Sequence, residues 1–276
     1  MIKRISIAAV LLATGAVIGW AGSAGGTRSE DNRAAVKAPK GKLVDLSYRF
    51  NARTIYWPTA KTFTLEKVAE GETEGGYFYA ANNFEAAEHG GTHLDAPVHF
   101  ARNGDKADEI PLRRLVGPGV VVDVSEAALA NRDYQVTRDD LKAHERRYGR
   151  IAQRAIVLLR TGYGRYWPDR ERYLGTAELG APAVPKLHFP GLHPRAARWL
   201  VRRRNVRAVG LDTASIDYGQ STLFESHRIL GAANVPVFEN VANLRRLPRE
   251  GFLFIGLPMK IDGGSGGPLR AMAIVP

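Results

Sequence analysis

A mixed α/β domain with more strands than helices is the fold this sequence predicts, and three observations predict it. The 276 residues, 45% hydrophobic and 24% charged, have the balance of an ordinary globular protein and approach the upper size for one hydrophobic core. Short runs rich in Val, Ile and Leu alternate with segments that carry helix caps. No internal repeat or low-complexity break interrupts residues 43–276, which therefore read as a single domain.

Elements follow in chain order. Lys3 and Arg4 precede an apolar run over 5–20, and the small residues Ala21, Gly22, Ser23 and Ala24 come after it. This is the pattern of a signal peptide over 1–24, cleaved between Ser23 and Gly26, and it predicts a periplasmic or secreted protein. The run is shorter than the roughly 20 residues that span a bilayer, which disfavours an uncleaved anchor. Residues 25–42 are polar and read as a flexible leader. LVDLSYRF, from Leu43, alternates as a strand does, and the glycine-punctuated run 71–84 suggests a turn and a strand pair. VVVDV (120–124) reads as a strand after a Gly-Pro-Gly turn. Thr137 with Asp140 three residues on resembles a capping box for the helix LKAHERRY, which Gly149 ends. His144 lies among charges on that helix and is expected to be solvated. AIVLLR (155–160) is a buried strand. Pro194 opens the helix of HPRAARWLVRRR, which leads into the strand VRAVGLD; a shorter helix around His227 precedes VPVFEN, and FLFIGLPMKI and LRAMAIV close the sheet.

Composition removes several kinds of chemistry. There are no cysteines, so thiolate ligands, disulfides and a cysteine nucleophile are excluded, and a metal site has to use imidazole and carboxylate. The formal charge of +11 is spread along helices and the leader without aromatic interleaving or a nucleic-acid motif, and a solvated basic surface accounts for it. GGSGGP (263–268) lacks the Lys-Ser/Thr ending and following helix of a phosphate-binding loop, and reads as a tight turn.

HGGTHLDAPVHF places three of the seven histidines and an aspartate within residues 89–100. Four-residue steps from His89 to His93 and from Asp95 to His99 bring side chains together over a tight turn. The two-residue step from His93 to Asp95 sets them on one face of an extended piece. Gly90, Gly91 and Pro97 disfavour a continuous helix, so a turn, a short strand and a helical start near Pro97 are expected. Two imidazoles and a carboxylate at this spacing suit Zn²⁺ or Mn²⁺ with positions left for water and substrate.

HGGTHLDAPVH resembles the HxGTHxDxPxH signature of the cyclase-like metal-dependent hydrolases, the family of bacterial kynurenine formamidase and isatin hydrolase. The resemblance continues through DLSYRFNARTIYWP, LVGPGVVVDVS, LLRTGYGRYW, HFPGLHPRAARWL, VGLDTASIDYG, VPVFENVANLRRLP and GGSGGPLRA. It implies the swivelling β/β/α fold and a metal site of one or two ions held by His89, His93 and Asp95, with His227 and Glu239, twelve residues apart, completing it. It gives His99 the role of proton donor and acceptor. Trp57 matches a position that contacts substrate in the formamidases, and suits packing equally. His188 and His193 are read as loop residues, and Asp212 and Asp217 as shaping a loop beside the site. The resemblance also implies a small-molecule substrate and a homo-oligomer, commonly a dimer. The expected reaction is hydrolysis of a C–N bond in an amide, formamide or lactam. An ester or lactone hydrolase, a dehydrating lyase and a metal-dependent binding protein remain as alternatives.

Overall fold

A computed structural model describes residues 40–276; the expected signal peptide and the leader up to residue 39 lie outside the described residues. Among the described residues, twelve strands and six α-helices follow one another along the chain. The strands are β1 (Lys42–Asp45), β2 (Thr64–Glu72), β3 (Phe78–Glu85), β4 (His93–Asp95), β5 (Val116–Asp123), β6 (Gln135–Val136), β7 (Ile156–Arg160), β8 (Gly191–Leu192), β9 (Ala208–Leu211), β10 (Val237–Glu239), β11 (Phe252–Pro258) and β12 (Gly266–Val275). The helices are α1 (Leu112–Leu115), α2 (Ser125–Ala130), α3 (Arg138–Tyr148), α4 (Arg170–Leu174), α5 (Pro194–Trp199) and α6 (Glu225–Ala232). Mixed α/β architecture with strands in the majority is as the sequence predicts.

Eight strands form one mixed sheet in the order β1-β12-β11-β5-β7-β9-β10-β4, and β4 also pairs with β12, so the sheet curls back on itself. Strands β5, β7, β9 and β10 run parallel. They are buried on both faces, which is why their sequences read as continuous apolar runs. Alternation sorts the side chains. Val121, Ile156, Leu158, Ala208 and Phe238 face an inner core with Leu94, Phe254 and Ala271. Val120, Val122, Val157, Leu159, Val209, Leu211 and Val237 face the layer of helices, where Leu141 of α3, Ala196 and Ala197 of α5 and Leu230 of α6 meet them. The capping box of α3 is present: Asp140 N–H donates to Thr137 Oγ1 at 3.2 Å, and Thr137 N–H donates to Asp140 Oδ2 at 2.7 Å.

Four local expectations are corrected. The first strand stops at Asp45, whose Oδ1 accepts from Ser47 N–H and turns the chain. The strand pair expected over 71–84 is a hairpin that begins at Thr64. β2 is exposed along nearly its whole length and so shows no alternation. Gly117, Pro118 and Gly119 lie inside β5 rather than in a turn; before Gly119 that strand has a neighbour on one side only, where a proline is tolerated. His144 is buried, not solvated. Leu141, His144 and Tyr148 form one stripe of α3, and burial, then the charge of Arg249, pushes the His144 imidazole down.

Candidate active site

The short strand β4 lies between β10 and β12, and its register decides which side chains meet. His93 stands opposite Glu239, and Asp95 opposite Val237. On the other side Asp95 faces Gly266 and His93 faces Pro268. Because side chains alternate, His93, Asp95 and Glu239 emerge on one face while Leu94 and Phe238 enter the inner core. Gly266 has to be glycine: a Cβ there would come within 2.4 Å of Leu94 O and 2.6 Å of His89 Cε1. The same holds for Gly91, which has φ +57° and whose Cβ would meet the Phe50 ring at 2.7 Å. Thr92 fastens the turn, donating to Asn240 O at 2.8 Å and accepting from Tyr48 N–H at 2.9 Å. After β4, a 3₁₀ turn over Pro97–His99 carries His99 back, so that its ring stacks on His89 at 3.9 Å between centroids.

All six residues expected at the centre converge. Asp95 Oδ1 lies 2.6 Å from His89 Nδ1 and 3.2 Å from His93 Nε2, and its Oδ2 lies 3.0 Å from His227 Nε2. Glu239 reaches His227 Nε2 with Oε1 at 3.3 Å and His93 Nε2 with Oε2 at 3.5 Å. Ligand atoms of His93, Asp95 and Glu239 form one compact group, and those of His89, Asp95 and His99 a second, with Asp95 shared; within each group they lie within 4.8 Å of one another.

Three of the four imidazoles are held from behind. His93 Nδ1–H donates to Gly91 O at 3.0 Å, a carbonyl that also accepts from the Asn240 amide at 2.7 Å. His227 Nδ1–H donates to Asp217 Oδ2 at 2.7 Å. The two Asp217 oxygens also accept from Ser226 N–H and His227 N–H, so this carboxylate caps the start of α6 while it aims the ring. His89 Nε2–H donates to Ser265 Oγ at 2.8 Å, and that hydroxyl donates to Glu88 Oε2. Glu239 Oε1 accepts from Ile216 N–H at 2.6 Å. The inward nitrogens face the Asp95 and Glu239 carboxylates, and buried His93 Nε2 has no hydrogen-bond partner. That arrangement suits a cation.

The charge balance of the cluster points the same way. Burial and then the charge of Asp95 push the Glu239 carboxyl up. Burial also opposes charge on His93 and His227, but for His93 the neighbouring Asp95 and Glu239 carboxylates, and for His227 Asp217 behind the ring with Asp95 and Glu239 before it, outweigh it and raise both imidazoles. Asp95 is held well below the usual carboxylate range, His89, His227 and His93 overcoming its burial. Two buried carboxylates this close need positive charge beside them, and protons on imidazole supply it in the cluster as it stands. A divalent cation fits the same donor set.

The cluster opens into a cavity of about 290 Å³ whose other walls include Tyr56, Trp57, Phe100 and Phe224. Trp57 packs edge-on against Phe189 and Phe224, at 6.4 Å in each case, so it is both a wall and a packing residue. His188 and His193 have local partners instead: His188 Nδ1 lies 2.9 Å from Asp133, and His193 caps α5 by accepting from Arg195 N–H. Asp212 accepts from Thr161 and Gly162 and shapes a neighbouring loop. Ser265 and Glu88 were not singled out by sequence reasoning. The glycine-rich run marks a close approach there, but nothing in it signals a hydroxyl on His89.

The sequence pattern described as putative cyclase matches residues 44–218. Isatin hydrolase of Roseibium aggregatum is 32% identical over 220 residues, covering 77% of this chain and 81% of that protein. Kynurenine formamidase of Salinibacter ruber is 29% identical over 83% of this chain and 96% of its own length. Among solved structures, isatin hydrolase A from Ralstonia solanacearum superposes with a TM-score of 0.77 at 33% identity, covering 85% of this chain and 92% of that one.

Proposed function

The chain belongs to the putative cyclase family, as a hydrolase similar to isatin hydrolase and kynurenine formamidase, and from that premise we propose that it hydrolyses a non-peptide C–N bond of an aromatic amide, formamide or lactam. The observation that carries the reading is the inward face of the cluster. Buried His93 Nε2 lacks a partner, and the 2.6 Å approach of His89 Nδ1 to Asp95 Oδ1 asks for a proton or a cation between them.

His93, Asp95, His227 and Glu239, with His89, would hold one or two Zn²⁺ or Mn²⁺ ions. Such an ion acidifies water and polarises a carbonyl oxygen. The remaining work belongs to side chains. His99 takes the proton from the attacking water and delivers it to the departing nitrogen, so that amide and water become carboxylic acid and amine. Although the residue has an exposed edge, its ring, stacked on His89, is desolvated, which pushes the imidazole down to about 4, with Asp95 opposing and the other three imidazoles adding to the shift; at neutral pH it is therefore an acceptor. Trp57, Phe100 and Phe224 form flat walls suited to an aromatic ring. We also propose that residues 1–24 export the protein, which mass spectrometry of the mature N-terminus tests: cleavage between Ser23 and Gly26 supports export, and an intact Met1 in exported protein refutes cleavage.

The reaction is tested by assaying purified protein loaded with Zn²⁺ or Mn²⁺ against N-formyl aromatics, isatin-like lactams and simple lactones. Amide or lactam turnover that a chelator abolishes is the expected result. Turnover confined to lactones would make it an ester-bond hydrolase. Retained metal with no turnover of any substrate would favour a binding protein.

A further inference from the structure

A second cavity, of about 310 Å³, shares no lining residue with the active-site cleft. It opens where Arg160 ends β7 and Asp212 follows β9, at the carboxyl ends of parallel strands, a place where such sheets present loops to ligands. The partition between the two cavities is fastened by Tyr173, whose buried hydroxyl lies 3.0 Å from Asp212 O and 2.8 Å from Asn240 Oδ1.

Three guanidiniums enter the second cavity from three segments. Arg160 comes from β7, Arg165 from the 3₁₀ turn Tyr163–Tyr166, and Arg245 from the 3₁₀ turn Leu244–Arg246. Arg160 has a partner: its Nη1–H donates to Asp123 Oδ2, an oxygen that also accepts from Arg249 at 2.8 Å. Arg165 and Arg245 are exposed and form no ion pair with any described residue. The one carboxylate in the wall is occupied by its own loop. Asp212 Oδ1 accepts from Thr161 N–H and Thr161 Oγ1–H at 2.7 Å each, and Oδ2 accepts from Gly162 N–H at 3.0 Å. The lining therefore keeps a net charge of +2.

The remaining walls set the size and kind of occupant. Leu129, Leu244 and the ring of Tyr48, which stacks on Trp167 at 4.1 Å, supply apolar surface. A Cβ at Gly164 would come within 2.9 Å of Tyr48 Oη and 3.9 Å of Asp212 Oδ2, so glycine there keeps the space between them clear. The volume is at the lower end of small-molecule sites, roughly 300–1,000 Å³, and a bare inorganic ion would leave most of it to water. Asp212 in the wall disfavours a second negative charge on the occupant. A planar carboxylate carries a single charge and matches the guanidinium fork in bidentate fashion.

We propose that this cavity binds a small organic monocarboxylate, with its charged end on Arg165 and Arg245 and its apolar body against Leu129, Leu244 and Tyr48. A carboxylate is also what the reaction proposed above releases, which would make this a site for product. The binding itself does not depend on that reaction, because its readout is heat and not turnover.

Isothermal titration of benzoate into the purified, metal-loaded protein at constant ionic strength tests the proposal. The wild type should show a saturable component that the double variant Arg165→Gln, Arg245→Gln loses, its affinity falling by at least about a hundredfold. Both side chains are exposed, so far-UV circular dichroism should not change. Each single variant should weaken the component by about tenfold, and the pair of them decides the matter if the double variant fails to fold. Phe100→Ala, which alters only the active-site cleft, should leave the component intact. Benzamide, neutral and of the same shape, should bind at least about tenfold more weakly than benzoate. No benzoate binding, or binding that survives in the folded double variant and is lost in Phe100→Ala, would overturn the proposal. Inorganic phosphate binding as tightly as benzoate would overturn the monocarboxylate and leave a site for a bare oxyanion.

Discussion

The two walls of the active site differ in how firmly they are built. On the inner wall, His93, Asp95 and Glu239 stand on paired strands, His227 stands on a helix, and all four are buried. Two carbonyl or carboxylate acceptors fix the outer nitrogens of His93 and His227. On the outer wall, His89 and His99 lie on a turn and a 3₁₀ turn, His89 part-buried and His99 more exposed. The first wall is arranged to keep a charge in one place, which requires paid-up hydrogen bonds and no solvent. The second stacks two imidazoles at the mouth of the cleft, where, on the proposed function, His89 completes the metal-holding set and His99 moves a proton to and from substrate. On that reading most of the holding and all of the moving lie at different depths of one cleft.

Substitutions can break or sharpen that division. The largest effect is expected for Asp95→Ala, since this carboxylate touches three imidazoles. Metal should be lost and turnover should fall by at least about a thousandfold, with lower thermal stability because the imidazoles then face one another without compensation. Elemental analysis alongside a melting curve reads both, and a variant that keeps its metal would contradict the inner wall's role. Turnover of His99→Ala should drop about a hundred- to ten-thousandfold while metal content stays at the wild-type level. Loss of metal in this variant would place His99 among the ligands and erase the difference between the walls.

Acidity separates the walls in another way. Before an ion binds, His93 and His227 hold protons above the ordinary imidazole range, so metal uptake expels protons, and apparent affinity should fall by about tenfold per proton expelled for each unit by which the pH is lowered. Calorimetric titration in buffers of different ionisation enthalpy counts them, and a count of zero would show that the cluster is not protonated as described. Asp217→Asn, which leaves the His227 ring in place but removes the charge behind it, should weaken metal binding by about ten- to a hundredfold. Ser265→Ala acts on the outer wall and removes one hydrogen bond to His89. Its effect on metal affinity should be smallest, about tenfold or less, and a larger loss would move His89 to the inner wall.

Legibility in the sequence followed contact distance. The outer wall and half of the inner one sit in HGGTHLDAPVH, where loop geometry alone suffices to bring side chains together. His227 and Glu239 came only through resemblance, because the contact of Glu239 with His93 depends on β10 lying beside β4 in a particular register. No spacing along the chain encodes that. Ser265 on His89 is a pairing across 176 positions, set by the close approach of β12 to β4. Strands buried on both faces were readable as apolar runs, whereas β2, exposed on both, had no pattern to read. His144 was legible in principle from the Leu141, His144 and Tyr148 stripe, but the neighbouring charges of α3 pointed to solvent.

Whether the inner wall holds a catalytic ion is read most plainly by elemental analysis of wild-type and Glu239→Ala protein purified side by side. One or two Zn or Mn ions per wild-type chain, with Glu239→Ala depleted of metal and of turnover together, is the expected result. Wild-type protein that turns over substrate without bound metal, or Glu239→Ala with full metal and full activity, would contradict it.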